Sequence, residues 1–147
     1  MNVQSWLSFC LLMSLCVGCA RQQSDYSKLD LVDVTGKVTL DGEPLSGAVI
    51  TFDSPDGQFS FGQTDSGGNY SLLFDSVQRG VTPGEKIVRI STARKILGLN
   101  ASEGGEDDPA TAKSAEEKVP EKYNKASELK VTVGHDKTRH NFDLKSN

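Results

Sequence analysis

From Val32 to Leu144 the chain is a succession of short period-two runs, each closed by a cluster of Gly, Pro, Asp or Asn. Such a chain buries one face of each run by laying the runs side by side as strands, because alternate side chains leave a strand on opposite faces. In the first run, Val32, Val34, Val38 and Leu40 share a face with Gly36, while Thr35, Lys37 and Thr39 share the other. Gly36 on the apolar face marks a place where a neighbouring chain can approach closely. Further strands are expected over 48–52, 58–64, 70–74, 86–91, 129–133 and 139–144. Seven short strands with almost no helical period predict an all-β fold, a single antiparallel β-sandwich. No self-similar unit of about 20–50 residues recurs, which argues against a solenoid or propeller.

The turn residues have geometric roles. Asp41-Gly42 is a pair favoured in two-residue hairpin turns, whose central residues need positive φ. Gly42 and Gly47 supply conformations that L-residues resist. Pro44 fixes its own φ and pushes Glu43 toward extended geometry. Asp65 can accept hydrogen bonds from backbone N–H groups across its own turn, where Gly67 or Gly68 takes positive φ.

Between 98 and 119 the period stops. Gly98, Gly104, Gly105 and Pro109 stand among the acids Glu103, Glu106, Asp107 and Asp108 and a small Ala/Thr/Ser tract. Few side chains there offset the entropy of ordering, so a long mobile loop is expected. Pro120-Glu121-Lys122-Tyr123-Asn124 resumes order, with Tyr123 as an anchor.

Ahead of the strands, residues 1–18 contain no Lys, Arg, Asp or Glu, and the stretch from Trp6 to Val17 is largely apolar. It is shorter than the roughly 20 residues a helix needs to cross a bilayer, and has the length of a signal h-region. An apolar core, then small residues, then Cys19 and the polar run Ala20-Arg21-Gln22-Gln23-Ser24-Asp25 resembles the lipobox of bacterial lipoprotein signal peptides. The resemblance implies a signal helix over 1–18 that is removed, and acyl chains on Cys19 that hold the protein to a membrane of the cell envelope. The alternative is an ordinary secretory leader cut nearby. Residues 19–31 then form the lipidated cysteine and a flexible tether, and 32–145 the folded domain. The cysteines are Cys10, Cys16 and Cys19, so the domain after Cys19 has no thiol for a disulfide, a zinc–thiolate site or a cysteine nucleophile. A net charge of −4 without a basic stripe gives no reason to expect nucleic acid as a partner.

The run Val34-Thr35-Gly36-Lys37-Val38-Thr39-Leu40-Asp41-Gly42-Glu43-Pro44-Leu45-Ser46-Gly47-Ala48 resembles the opening of carboxypeptidase regulatory-like domains. Thr64-Asp65-Ser66-Gly67-Gly68-Asn69-Tyr70-Ser71-Leu72 resembles their later hairpin, and Pro120-Glu121-Lys122-Tyr123-Asn124 with Ser127 and Leu129 an element of small bacterial lipoproteins carrying this domain. The resemblance spans about 32–144 and implies a transthyretin-like, immunoglobulin-like seven-stranded sandwich. It implies no catalytic activity, because in peptidases this domain stands beside the catalytic one; function does not follow from fold.

The residues that carry chemistry are sparse. His135 and His140 lie near one turn and would need Asp136 or Asp143 to complete a metal site, so the expectation is surface residues with no metal and no cofactor. The acids at 103–108 do not follow a calcium-loop spacing. No G-x-S-x-G elbow occurs, and nothing links a serine to either histidine. Phe59 and Phe61 share one face of a strand and read as a core face, with an exposed patch as the alternative. The expected function is a non-enzymatic, membrane-anchored interaction module whose partners are envelope proteins or glycans, with a small-ligand or carbohydrate binder as the alternative and a transthyretin-like hydrolase less favoured.

Overall fold

A computed structural model describes residues 26–93 and 116–147. The leader, Cys19 and residues 98–115 of the expected loop lie outside the described residues. The described residues contain eight strands: β1 (Thr35–Leu40), β2 (Glu43–Pro44), β3 (Val49–Asp53), β4 (Phe59–Gln63), β5 (Asn69–Ser71), β6 (Gly84–Ser91), β7 (Lys130–Val133) and β8 (Phe142–Leu144). Tyr26–Lys28 and Glu121–Tyr123 form single 3-10 turns. No helix among the described residues is long and apolar enough to cross a membrane.

The strands form two sheets. In the first, β1 pairs antiparallel with β5 through Thr35–Lys37 and with β2 through Thr39 and Leu40, while β8 runs parallel to β1 at Val38–Leu40. The second has the order β4-β3-β6-β7, antiparallel throughout. The all-β expectation therefore holds, with two corrections in detail. Glu43–Pro44 adds an eighth strand, because Asp41 (φ 53) and Gly42 (φ 92) close a turn tight enough to bring Pro44 opposite Thr39. The last strand is parallel rather than antiparallel. Its lead-in crosses to β1, where Thr35 N–H donates to Thr138 O and His140 N–H to Thr35 O.

Both sheets contribute to one core. Val38, Ile50, Leu72, Val88 and Ile90 are fully buried there, each contributing about 1.5–3 kcal/mol through lost apolar surface. The Phe52 ring, from β3, lies 6.4 Å from that of Tyr70 on β5 and 6.1 Å from that of Phe142 on β8. At Gly36 the backbone of the segment leading into β8 comes so near that an added Cβ would stand 1.7 Å from His140 O. The same carbonyl accepts a 2.7 Å bond from the Tyr70 hydroxyl. Burial raises the pKa of that hydroxyl, which keeps it a donor.

Two boundaries differ from the sequence reading. The expected tether reaches the domain at Tyr26, whose hydroxyl donates to Asp75 Oδ2 at 2.5 Å. The expected loop ends before 119. Val119 is 3% exposed within the core, and Glu117 is hydrogen-bonded to the end of β6. Val119 and Glu117 thus tie the last residues of the expected loop to the domain.

Candidate functional site

Strand alternation gives the second sheet an inner, apolar face and an outer face of a different character. On β3 the outward residues are Val49, Thr51 and Asp53. Register places Thr51 between Phe61 of β4 and Arg89 of β6, and Asp53 between Phe59 and Ile87. Phe59 is 52% exposed and Phe61 half-buried, their ring centroids 6.1 Å apart. The core-face reading of this pair is corrected. The inward positions of β4 are Ser60 and Gly62, and a Cβ on Gly62 would meet Ser71 O at 2.5 Å. Phe61 and Leu73 exchange backbone hydrogen bonds of 2.9 and 2.7 Å at that crossing, which leaves no room for rings on the inner side.

Arg89 organises the middle of the face. Its Nε donates to Asp53 Oδ2 at 2.6 Å, and its Nη1 donates to the carbonyls of Asn124 (3.1 Å) and Lys125 (3.0 Å). One guanidinium thereby joins β3, β6 and the segment after the second 3-10 turn, a use of its fixed fork that a lysine could not reproduce. Beside it, Glu117 Oε2 accepts from Ser91 Oγ and from Asn124 Nδ2 (2.7 Å), and Oε1 from Thr92 N (3.0 Å) and Val119 N (2.9 Å). Burial alone would raise the Glu117 pKa, but these hydrogen bonds outweigh it and hold it below the ordinary value.

Three hollows meet at the Asp53–Arg89 pair. The first, of about 300 Å³, is lined by Thr51, Asp53, Ser54, Gly57, Gln58 and Phe59. The second, of about 320 Å³, shares Asp53 and Ser54 and continues over Ile87 to Lys86 and Lys130. The third, of about 660 Å³, runs from Arg89 and Ser91 to Glu117, Glu121 and Lys125. Thr51 is 2% exposed, and its Oγ1 is buried with no hydrogen-bond partner among the described residues. Lys86 is 3% exposed, with Nζ donating to Pro83 O at 3.2 Å, and burial lowers its pKa.

The residues singled out in sequence are dispersed. His135 sits on the surface with Nε2 2.9 Å from Asp30 Oδ1. His140 is 5% exposed, its ring edge-on to Phe52 at 6.0 Å, with Nε2 3.2 Å from Lys137 O. A carbonyl only accepts, so Nε2 carries the proton; burial is the main cause of its lowered pKa. The expectation of two surface histidines is corrected for His140, because its segment inserts beside β1. No three His, Cys, Asp or Glu gather to hold a metal among the described residues. Glu103, Glu106, Asp107 and Asp108 lie outside them, as does Cys19. The turn residues serve local geometry: Gly47 and Gly68 have φ of 72 and 77, and Asp65 Oδ1 accepts from Gly67 N and Asn69 N, each at 2.8 Å. Sequence reasoning missed Thr51, Asp53 and Arg89. Their only signal was outward parity on runs whose inward residues are apolar.

Among known proteins, no family model, no curated protein and no solved structure matches this chain.

Proposed function

We propose that the protein is a non-catalytic binding module of the cell envelope: a transthyretin-like β-sandwich of the carboxypeptidase regulatory-like kind, tethered to a membrane through an acylated Cys19. The outer face of the β4-β3-β6-β7 sheet is its contact surface. The observation that carries the binding reading is the solvent-open Phe59–Phe61 pair beside the Asp53–Arg89 pair, all four on paired strands. Binding residues on regular strands are held more precisely than on loops.

The titratable groups around the face support binding over catalysis. Asp53 is engaged by Arg89, Glu117 by several donors, and His140 by the core. A general base needs a free lone pair directed at substrate; both Glu117 oxygens spend theirs on structure, His140 is turned into the core, and Asp53 keeps only Oδ1 open, beside a guanidinium. The anchor reading rests on the leader and Cys19.

The test has two arms. Intact-mass analysis of protein purified from membranes is expected to show a chain beginning at an acylated Cys19; an unmodified amino terminus in a soluble fraction would sink the anchor. A photo-crosslinking residue at Gln58 is expected to capture an envelope component, whereas one at Lys28 is not. Equal capture from both positions would remove the outer face as the contact surface.

A further inference from the structure

We infer that the hollow beside Phe59 is a saccharide subsite that takes one ring of a neutral sugar chain. The inference rests on the reading of the outer face as the contact surface and names its ligand.

The chemistry of the lining selects the ligand. Phe59 presents about half of its surface to solvent, backed by the Phe61 ring. An exposed aromatic wall stacks on a flat or gently puckered apolar face. Asp53 is the hollow's one charged residue, and while its Oδ2 is held by Arg89 Nε, no hydrogen bond reaches Oδ1 from the described residues. A carboxylate only accepts, so the ligand must donate there. With Asp53 paired to Arg89, the hollow offers no net charge to hold either an anion or a cation. Thr51 lines the hollow, and its hydroxyl is buried without a partner among the described residues, an arrangement that costs free energy and that a hydroxylated ligand reaching that oxygen would relieve. An apolar face with a rim of hydroxyls and no net charge describes a neutral sugar ring.

The hollow is built before any ligand arrives. Ser54 N–H donates to Gln58 O at 2.7 Å, Gly57 N–H to Ser54 O at 3.0 Å and Gln58 N–H to Asp56 Oδ1 at 3.1 Å, so the turn that rims it is closed on itself. Its volume of about 300 Å³ is at the low end for ligand sites, which suits one ring rather than a whole oligosaccharide.

The test is amide-resonance mapping of the whole chain, held in detergent, during titration with neutral trisaccharides of glucose, mannose and N-acetylglucosamine. At least one is expected to shift Thr51–Asp53 and Phe59–Phe61 while leaving Lys122–Asn124 unmoved. Phe59→Ala is expected to weaken that binding about tenfold, the size of one lost aromatic stack. Phe59 is exposed, so this variant keeps its fold. Thr51→Val, an isosteric change, is expected to weaken binding about fivefold while raising the melting temperature; a merely structural threonine would move stability and leave affinity unchanged. Absence of shifts with every trisaccharide, or equal affinity in Phe59→Ala, overturns the inference. Capture of an envelope protein at Gln58 without any saccharide shift also overturns it, yet leaves the binding-module reading standing.

Discussion

The two faces of the second sheet are made by the same strands and differ in what their side chains do. Inward, Ile50, Phe52, Val88 and Ile90 are fully buried and join the sheets. Outward, one residue along, Asp53, Phe59, Phe61 and Arg89 are partly open to water and meet in pairs, Asp53 with Arg89 and Phe59 with Phe61. The lesson lies in β4. Its large residues face out and its small ones in, against the usual preference, because Ser71–Leu73 crosses close beneath Gly62. The exposed rings exist because the inner side has no space for them.

The sharpest way to break this division is Phe52→Ala, which empties the contact among Tyr70, His140 and Phe142. It is expected to cost about 3–5 kcal/mol in denaturant unfolding; a loss below about 1 kcal/mol would mean that the inner face is not what joins the sheets. Gly36→Ala comes next, since the added methyl must displace the His140 carbonyl. We expect about 1–3 kcal/mol from the forced backbone shift, with changed chemical shifts around Tyr70.

Glu117→Ala tests the border between the faces. Loss of its hydrogen bonds is expected to cost about 1–2 kcal/mol, less than for a buried carboxylate because this one is largely open to water. Its pKa in the fold lies below the ordinary 4.5, so its contribution is complete above pH 4.5 and is lost as pH falls through the lower folded value. Melting curves from pH 6 to pH 3 should show that loss in the parent and a flatter response in the variant. An unchanged pH profile would assign the acid response to other groups.

On the outer face the signs reverse. Thr51→Val removes a buried hydroxyl that has no partner among the described residues and is expected to stabilise by about 1 kcal/mol; destabilisation would reveal a partner for that oxygen. Phe59→Ala should change stability by less than about 0.5 kcal/mol, as for other exposed positions. A large loss would place Phe59 among the residues that hold the fold.

Much of the strand inventory was legible. The runs at 58–64 and 129–133 each contain a strand of the structure, and those at 48–52 and 86–91 each overlap one, because burial of alternate residues leaves a period-two trace. The run at 70–74 was legible only in part. It leaves β5 after Ser71 and bonds through Leu73 to Phe61, a change of partner that no local pattern encodes. Tyr123 was expected as an anchor and is packed against the core, its hydroxyl accepting from Lys145 N at 3.3 Å. The outer-face site was not legible. Asp53 and Arg89 are 36 residues apart and each reads as an ordinary solvated charge.

Taken alone, the order of residues determined that this chain would make short strands with tight turns at Asp41-Gly42 and Asp65–Asn69, since alternation and glycine conformation act over a few residues. Tertiary structure alone decided that β8 runs parallel to β1, that β4 turns its rings outward, and that Thr51, Asp53 and Arg89 adjoin. Period two is identical for parallel and antiparallel pairing and for either face. Only the packing of the sheets, with Phe52 packed against Tyr70 and Phe142 and His140 O lodged against Gly36, selects among them.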